Sequence, residues 1–170
     1  GCALLPLVHL ALFGAGLVGR DLLRMLDEAR SSFPGVELRL SLVANSRRYV
    51  LDENGIAPDR VAERLESGPA RPTDAELIDL LAERRFADTI VVDVTAASTQ
   101  PLHLAALKAG FSVVTANKVP LSGPTDTYRA LVDARDASGA RYGYETTFGA
   151  GLPVLHTLKE LVATGDSLER

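Results

Sequence analysis

The chain has 170 residues, the size of one domain or of one domain with a small appendage, long enough to bury roughly 70% of its extended-chain surface without staples. It carries 18 Lys and Arg against 22 Asp and Glu, a net charge of −4, with basic residues only in pairs such as Arg47-Arg48 and Arg84-Arg85 and no tryptophan, which argues against a nucleic-acid surface. The single cysteine, Cys2, leaves no disulfide framework, thiolate metal site or buried cysteine nucleophile, and fits a reducing compartment.

The N-terminal apolar run is short and broken by Pro6, His9 and glycines, so it reads as a buried strand rather than a membrane span or signal peptide; the expected location is the cytoplasm. Residues 8–13 form that strand, and Gly14-Ala15-Gly16-Leu17-Val18-Gly19 follows with the GxGxxG spacing of a dinucleotide-binding turn. Gly14 lets the chain turn, Gly16 lets a diphosphate lie on the backbone, and Gly19 lets the next helix press onto the sheet. Such a triplet is common, but its context strengthens it. An apolar strand precedes it, and Val18, Leu22, Met25, Leu26 and Ala29 line one helical face after it. The amides of the first helical turn are then free for an anion.

Residues 31–35 read as a loop and 37–44 as the second strand, closed by Asn45-Ser46-Arg47-Arg48. An NAD site places an acidic residue at this strand end to accept from the adenosine ribose, whereas a 2′-phosphate is repelled by a carboxylate and favoured by arginine. Asn45, Ser46 and Arg47 therefore favour NADP, with NAD kept as an alternative, and Arg48 reads as the more solvated of the two arginines. Residues 49–72 are punctuated by Asp, Pro and Gly and read as loop with one short helix over 58–65. Thr73 and Glu76 have capping-box spacing for a helix running to about residue 83.

Residues 89–95 form an uninterrupted β-branched strand. The polar stretch after it lies over the crevice where open α/β sheets bind ligands, which makes Thr95 and Ser98 candidate cofactor contacts, while Ser98 or Thr99 serves equally as a helix cap. Asp93, inside that strand, needs hydrogen-bonding partners and reads as structural or supporting. A helix over 102–109 ends at Gly110, and its His103 reads as an ordinary exposed or packed helical histidine. The strand over 111–115 leads into Asn117 and Lys118, which places Lys118 at the carboxyl edge of the sheet as the most interesting titratable group.

A helix starting near Thr125 carries Tyr128, Leu131, Val132 and Arg135 and stops at Ser138-Gly139; residues 141–145 form another strand. A second glycine cluster, 146–153, reads as a tight turn, after which a helix begins at Pro153 and ends near 164–166. Five strands are expected, and the weak region over 49–72 leaves room for another. The alternation predicts an α/β fold, a doubly wound, mostly parallel Rossmann-type sheet with helices on both faces.

The segments Gly14–Gly19, Ala44–Arg47, Val92–Thr95, Val114–Lys118 and Glu145–Pro153 together resemble the nucleotide-binding part of homoserine dehydrogenase, over nearly the whole chain. That resemblance implies NAD(P)-dependent interconversion of homoserine and aspartate semialdehyde. It places Asn117 and Lys118 at the nicotinamide, with Lys118 as the catalytic lysine. It also implies a monovalent cation, usually sodium, held by the Glu145 side chain and the carbonyls of Phe148, Ala150 and Leu152, where the family more often has Val at the position of Phe148.

The family continues into a substrate-binding and dimer-forming domain whose motifs are not found in these 170 residues. The expected division is a dinucleotide-binding domain over 1–153 and a helix over 154–170 leading toward that domain, with a chain that binds cofactor and does not turn over homoserine alone. Its expected partners are a small-molecule substrate, with no nucleic acid and no membrane. Two other readings compete. A phosphorylating aldehyde dehydrogenase needs a thiolate, and Cys2 lies before the first strand; a non-catalytic dinucleotide-binding or redox-sensing module needs only the turn.

Overall fold

Strand β1 (Leu7–Phe13) lies inside a six-stranded sheet, with every residue after Leu7 buried. The computed structural model describes residues 5–28, 33, 35–84, 86, 88–95, 99–116, 125–144 and 151–168, without the side chains of 125, 144, 151–153 and 164–168. β1 pairs in parallel with β2 (Glu37–Ala44) on one side and with β4 (Thr89–Asp93) on the other. Parallel pairing continues from β4 to β5 (Ser112–Thr115) and from β5 to β6 (Tyr142–Tyr144). β3 (Tyr49–Leu51) pairs antiparallel with β2, and the spatial order is β3-β2-β1-β4-β5-β6.

The sixth strand, β3, falls in the region left open by the sequence. The connection over 45–48 is far too short for a crossover, so the chain returns along β2 in the opposite direction. The short helix expected after it is a 3-10 turn, Pro58–Arg60, running into α2 (Val61–Glu66).

Alternation along β1 divides the core. Val8, Leu10 and Leu12 face α1 (Leu17–Glu28) and α6 (Gly151–Leu168) through Leu22, Leu23, Val154, Leu155 and Leu158. Ala11 and Phe13 face α3 (Asp74–Glu83), α4 (Gln100–Lys108) and α5 (Thr125–Ser138) through Leu77, Leu81, Leu102, Ala106, Leu107 and Leu131. Helices thus cover both faces, as the apolar strands require.

Beyond shifts of a residue at strand ends, three further boundaries differ from expectation. β4 stops at Asp93, because Thr95 folds back and donates its N–H (2.9 Å) and hydroxyl (2.7 Å) to Asp93 Oδ1. α4 starts at Gln100 with Pro101 in its first turn, where a missing N–H costs nothing. α6 starts at Gly151 and runs on through 164–166 to Leu168, since a single helical glycine costs only about 1 kcal/mol. Thr73 caps α3 as its spacing predicts, accepting from Glu76 N at 3.2 Å.

Candidate functional site

The carboxyl ends of β1 and β4 meet at Phe13 and Asp93, and the glycine turn rises from this point. Gly14 adopts φ +107°, and a Cβ there would lie 3.1 Å from Thr95 Cγ2, Thr95 N and Val94 C. Gly14 N–H donates to Ala44 O (2.9 Å) and Val94 N–H to Phe13 O (2.9 Å), so the turn is tied to both neighbouring strands. A Cβ on Gly19 would stand 2.2 Å from the Gly14 carbonyl oxygen, so glycine there lets α1 close onto the turn itself and, at 3.6 Å, onto Val94.

Gly16 is different: a Cβ there would meet no atom of the chain within 4 Å, and its φ is not positive. Two of the three glycines are thus explained by the protein's own packing, and Gly16 leaves room outside it. Leu17, first in α1, is 82% exposed beside that room, and the first turn of the helix carries no acidic residue to repel an anion.

At the end of β2, Asn45 Oδ1 accepts from the N–H groups of Arg47 (2.8 Å) and Arg48 (2.7 Å), an Asx turn that leaves its side-chain NH2 for outward donation. Ser46 and Arg47 are exposed, and the Arg47 guanidinium has no recorded partner among the described residues. Arg48 is exposed as well, but its guanidinium is engaged: the residue bridges to Ala70 and donates from Nη1 to the Gly68 carbonyl at 2.7 Å. A cleft of about 790 Å³ has Ala15, Asn45 and Arg47 in its wall and continues between α1 and α2 past Arg20, Leu23 and Leu65.

Behind Thr95 lies a buried polar network that the sequence reading missed. Asp93 is fully buried and accepts at Oδ2 from Thr99 Oγ1 (2.6 Å) and His103 Nε2 (2.6 Å), and at Oδ1 from Thr95. His103, also fully buried, pairs through Nδ1 with the Tyr142 hydroxyl on β6. Burial alone raises the Asp93 pKa, but His103, by hydrogen bond and by charge, and the Thr99 and Thr95 hydroxyls outweigh it and hold the carboxyl below its usual range. The Tyr142 phenol is pushed up by burial and by the Asp93 charge, so it stays protonated.

Thr99 sits at the N-cap of α4 but makes no cap bond, because its hydroxyl goes to Asp93. The Asp93 carbonyl also accepts from Thr115 Oγ1 and Ala116 N–H, both at 3.0 Å, which fixes the end of β5. The signal available was the carboxylate itself: buried in an apolar strand it needs donors, and Thr99 and His103 lie one helical turn apart.

The structure therefore brings together Gly14, Ala15, Gly16, Leu17, Val18, Gly19, Asn45, Ser46, Arg47 and Thr95 at one edge of the sheet. Ser98, Asn117, Lys118, Glu145, Phe148 and Ala150 lie outside the described residues, and Leu152 is the second residue of α6. Among the described residues no cluster of three His, Cys, Asp or Glu could hold a metal ion, and no described helix is long and apolar enough to cross a membrane.

A mostly parallel sheet of this strand order, with a glycine turn at the crevice between β1 and β4, defines the dinucleotide-binding class of α/β domains. Comparison with known proteins narrows this. The family model for the homoserine dehydrogenase NAD-binding domain matches residues 14–145. The chain is 36% identical over 166 residues to the bifunctional aspartokinase/homoserine dehydrogenase of Haemophilus influenzae, covering 95% of this chain and 20% of that protein.

Among solved structures, it is similar to a hyperthermophilic archaeal homoserine dehydrogenase in complex with NADPH (TM-score 0.67, 26% identity, 89% of this chain and 48% of that one). It is also similar to homoserine dehydrogenase from Thermoplasma acidophilum (TM-score 0.65, 25% identity, 82% and 43%). The chain belongs to the homoserine dehydrogenase NAD-binding domain family, and it spans about a fifth of the length of the curated relatives it matches.

Proposed function

We propose that this chain is the cofactor-binding portion of a homoserine dehydrogenase that prefers NADP to NAD. The observation carrying the reading is the open space at Gly16, at the head of α1 and between the ends of β1 and β4. The amides of this turn receive the diphosphate, and Asn45, Ser46 and Arg47 receive the adenosine ribose and its 2′-phosphate. A neutral Asn45 where NAD sites have a carboxylate supports the preference, as does the NADPH bound by the archaeal homologue.

The cofactor supplies the hydride. The chain's own residues hold it: Thr95, braced by Asp93 against the Gly14 turn, forms the floor of the crevice, and Ser98 and Asn117, which follow β4 and β5 in the sequence, are further contacts. Lys118 supplies the proton to the aldehyde oxygen, where an ammonium stabilises charge developing on that atom; in the reverse direction its neutral form removes the alcohol proton. Glu145 and the carbonyls of Phe148, Ala150 and Leu152 hold a monovalent cation. Substrate binding and dimerisation belong to other parts of the whole protein, since α6 still packs Val154, Leu155 and Leu158 into the core of this sheet.

Calorimetric titration of the parent and of Arg47→Ala with NADPH and NADH tests this reading. The substitution should weaken NADPH about tenfold or more and leave NADH within about twofold, a selective loss of about 1.4 kcal/mol. An equal effect on both cofactors, or no binding of either by the parent, overturns it.

A further inference from the structure

Beside the contacts of Arg48 with Gly68 and Ala70, the turn that carries Arg47 is held from outside by Arg71. Its backbone N–H donates to the Arg47 carbonyl at 2.8 Å, and its Nη1 donates to the Asn45 carbonyl at 3.1 Å. Nη2 is paired with the Asp74 carboxylate at the start of α3, and the guanidinium lies over the Phe13 ring, 5.6 Å from its centroid. Only 16% of the side chain is exposed. A flat fork of donors is suited to this, because it satisfies a carbonyl and a carboxylate together while its face rests on an aromatic ring.

We infer that Arg71 is a positioning residue for 2′-phosphate selectivity: it fixes the backbone on both sides of Ser46, so that Arg47 is presented from a rigid turn. The inference rests on the proposed role of Arg47. The hairpin from β2 to β3 is already closed by Asn45 N–H on the Arg48 carbonyl (3.0 Å) and by the two bonds to Asn45 Oδ1. Arg71 adds bonds to the carbonyls of Asn45 and Arg47, the two residues flanking Ser46. A freely moving Arg47 loses side-chain and backbone freedom each time it grips a phosphate, and a pre-set one avoids that cost. Sequence offers little warning, since Arg71 stands in an aperiodic stretch next to Pro72.

The test is to titrate Arg71→Met and Arg71→Lys with NADPH and with NADH, beside Arg47→Ala, and to record melting temperatures. Arg71→Met should lower the ratio of NADPH to NADH affinity about tenfold with NADH changed less than about twofold, and Arg71→Lys should fall between it and the parent. A role in stability alone lowers the melting temperature and leaves the ratio unchanged, which overturns the inference. If Arg71→Met fails to fold, Asp74→Ala gives the same reading: it removes the acceptor of Arg71 Nη2 and frees the fork, so a lowered ratio supports the inference and an unchanged one contradicts it. Where Arg47→Ala shifts the ratio and Arg71→Met does not, this inference alone falls. Where Arg47→Ala leaves the ratio unmoved, the underlying reading falls with it.

Discussion

His103 Nε2 lies 2.6 Å from Asp93 Oδ2, with both side chains fully buried, so the end of β4 beside Thr95 hangs on an ionisable pair closed off from water. Removing His103 takes from the buried Asp93 carboxylate one hydrogen bond and the charge beside it, which is much worse than never having had the pair. His103→Ala should cost about 3–5 kcal/mol in urea unfolding at neutral pH. Tyr142→Phe, which removes only the hydroxyl facing His103 Nδ1, should cost about 1–3 kcal/mol. A midpoint for His103→Ala close to that of the parent would show that the Thr95 and Thr99 donors satisfy Asp93 without His103.

A second histidine predicts a pH dependence. His9 faces Ser41 Oγ through Nδ1 at 2.6 Å and stacks on Phe86 with ring centroids 3.6 Å apart. Burial, then the Arg39 charge, lower its pKa from 6.5 against the opposing pull of Asp88, Glu37 and Glu53. Below pH 6.5 the unfolded chain takes up a proton there that the folded one refuses, so stability is complete above pH 6.5 and falls as the pH drops toward the folded value. The depressed carboxyl of Asp93 acts in the same direction in stronger acid, its contribution being lost as pH falls through the folded value. Unfolding midpoints of His9→Gln should therefore lose part of the parent's slope just below pH 6.5, and parallel curves for the two proteins would refute the assignment.

Packing at the glycine turn and the cap of α3 give two stability predictions of different size. Gly19→Ala places a methyl 2.2 Å from the Gly14 carbonyl oxygen, backbone that cannot move aside cheaply, and should cost about 2 kcal/mol or more together with cofactor affinity. Thr73→Ala removes the oxygen that accepts from Glu76 N and should cost about 1 kcal/mol with no change in affinity. Thermal melting with and without NADPH separates the two: a cofactor-induced rise in melting temperature should survive in Thr73→Ala and shrink in Gly19→Ala.

The parallel sheet was legible because its strands are long apolar runs separated by helical periodicity, a local pattern that burial on both faces imposes. β3 was not, because three residues amid Asp, Gly and Pro carry no period, and their pairing is decided by the short turn after β2. The glycine turn, Asn45 and Arg47 could be read as a site because each residue type answers to one chemical demand at one spacing. The supporting residues could not. His103 meets Asp93 across 10 positions and Tyr142 across 39, while Arg71 reaches Asn45 across 26, and contacts made through the fold leave no local pattern. Asp93 alone announced them, since a carboxylate in an apolar strand has to be satisfied.

The account stands on the space beside Gly16 being where a dinucleotide's diphosphate lies, and Gly16→Ala probes it directly. The added methyl meets nothing in the protein, so this variant should melt with the parent. Titrated with NADPH, it should bind at least about tenfold more weakly than the parent, because the methyl occupies the ligand's place. Binding by Gly16→Ala as tight as that of the parent would contradict the claim.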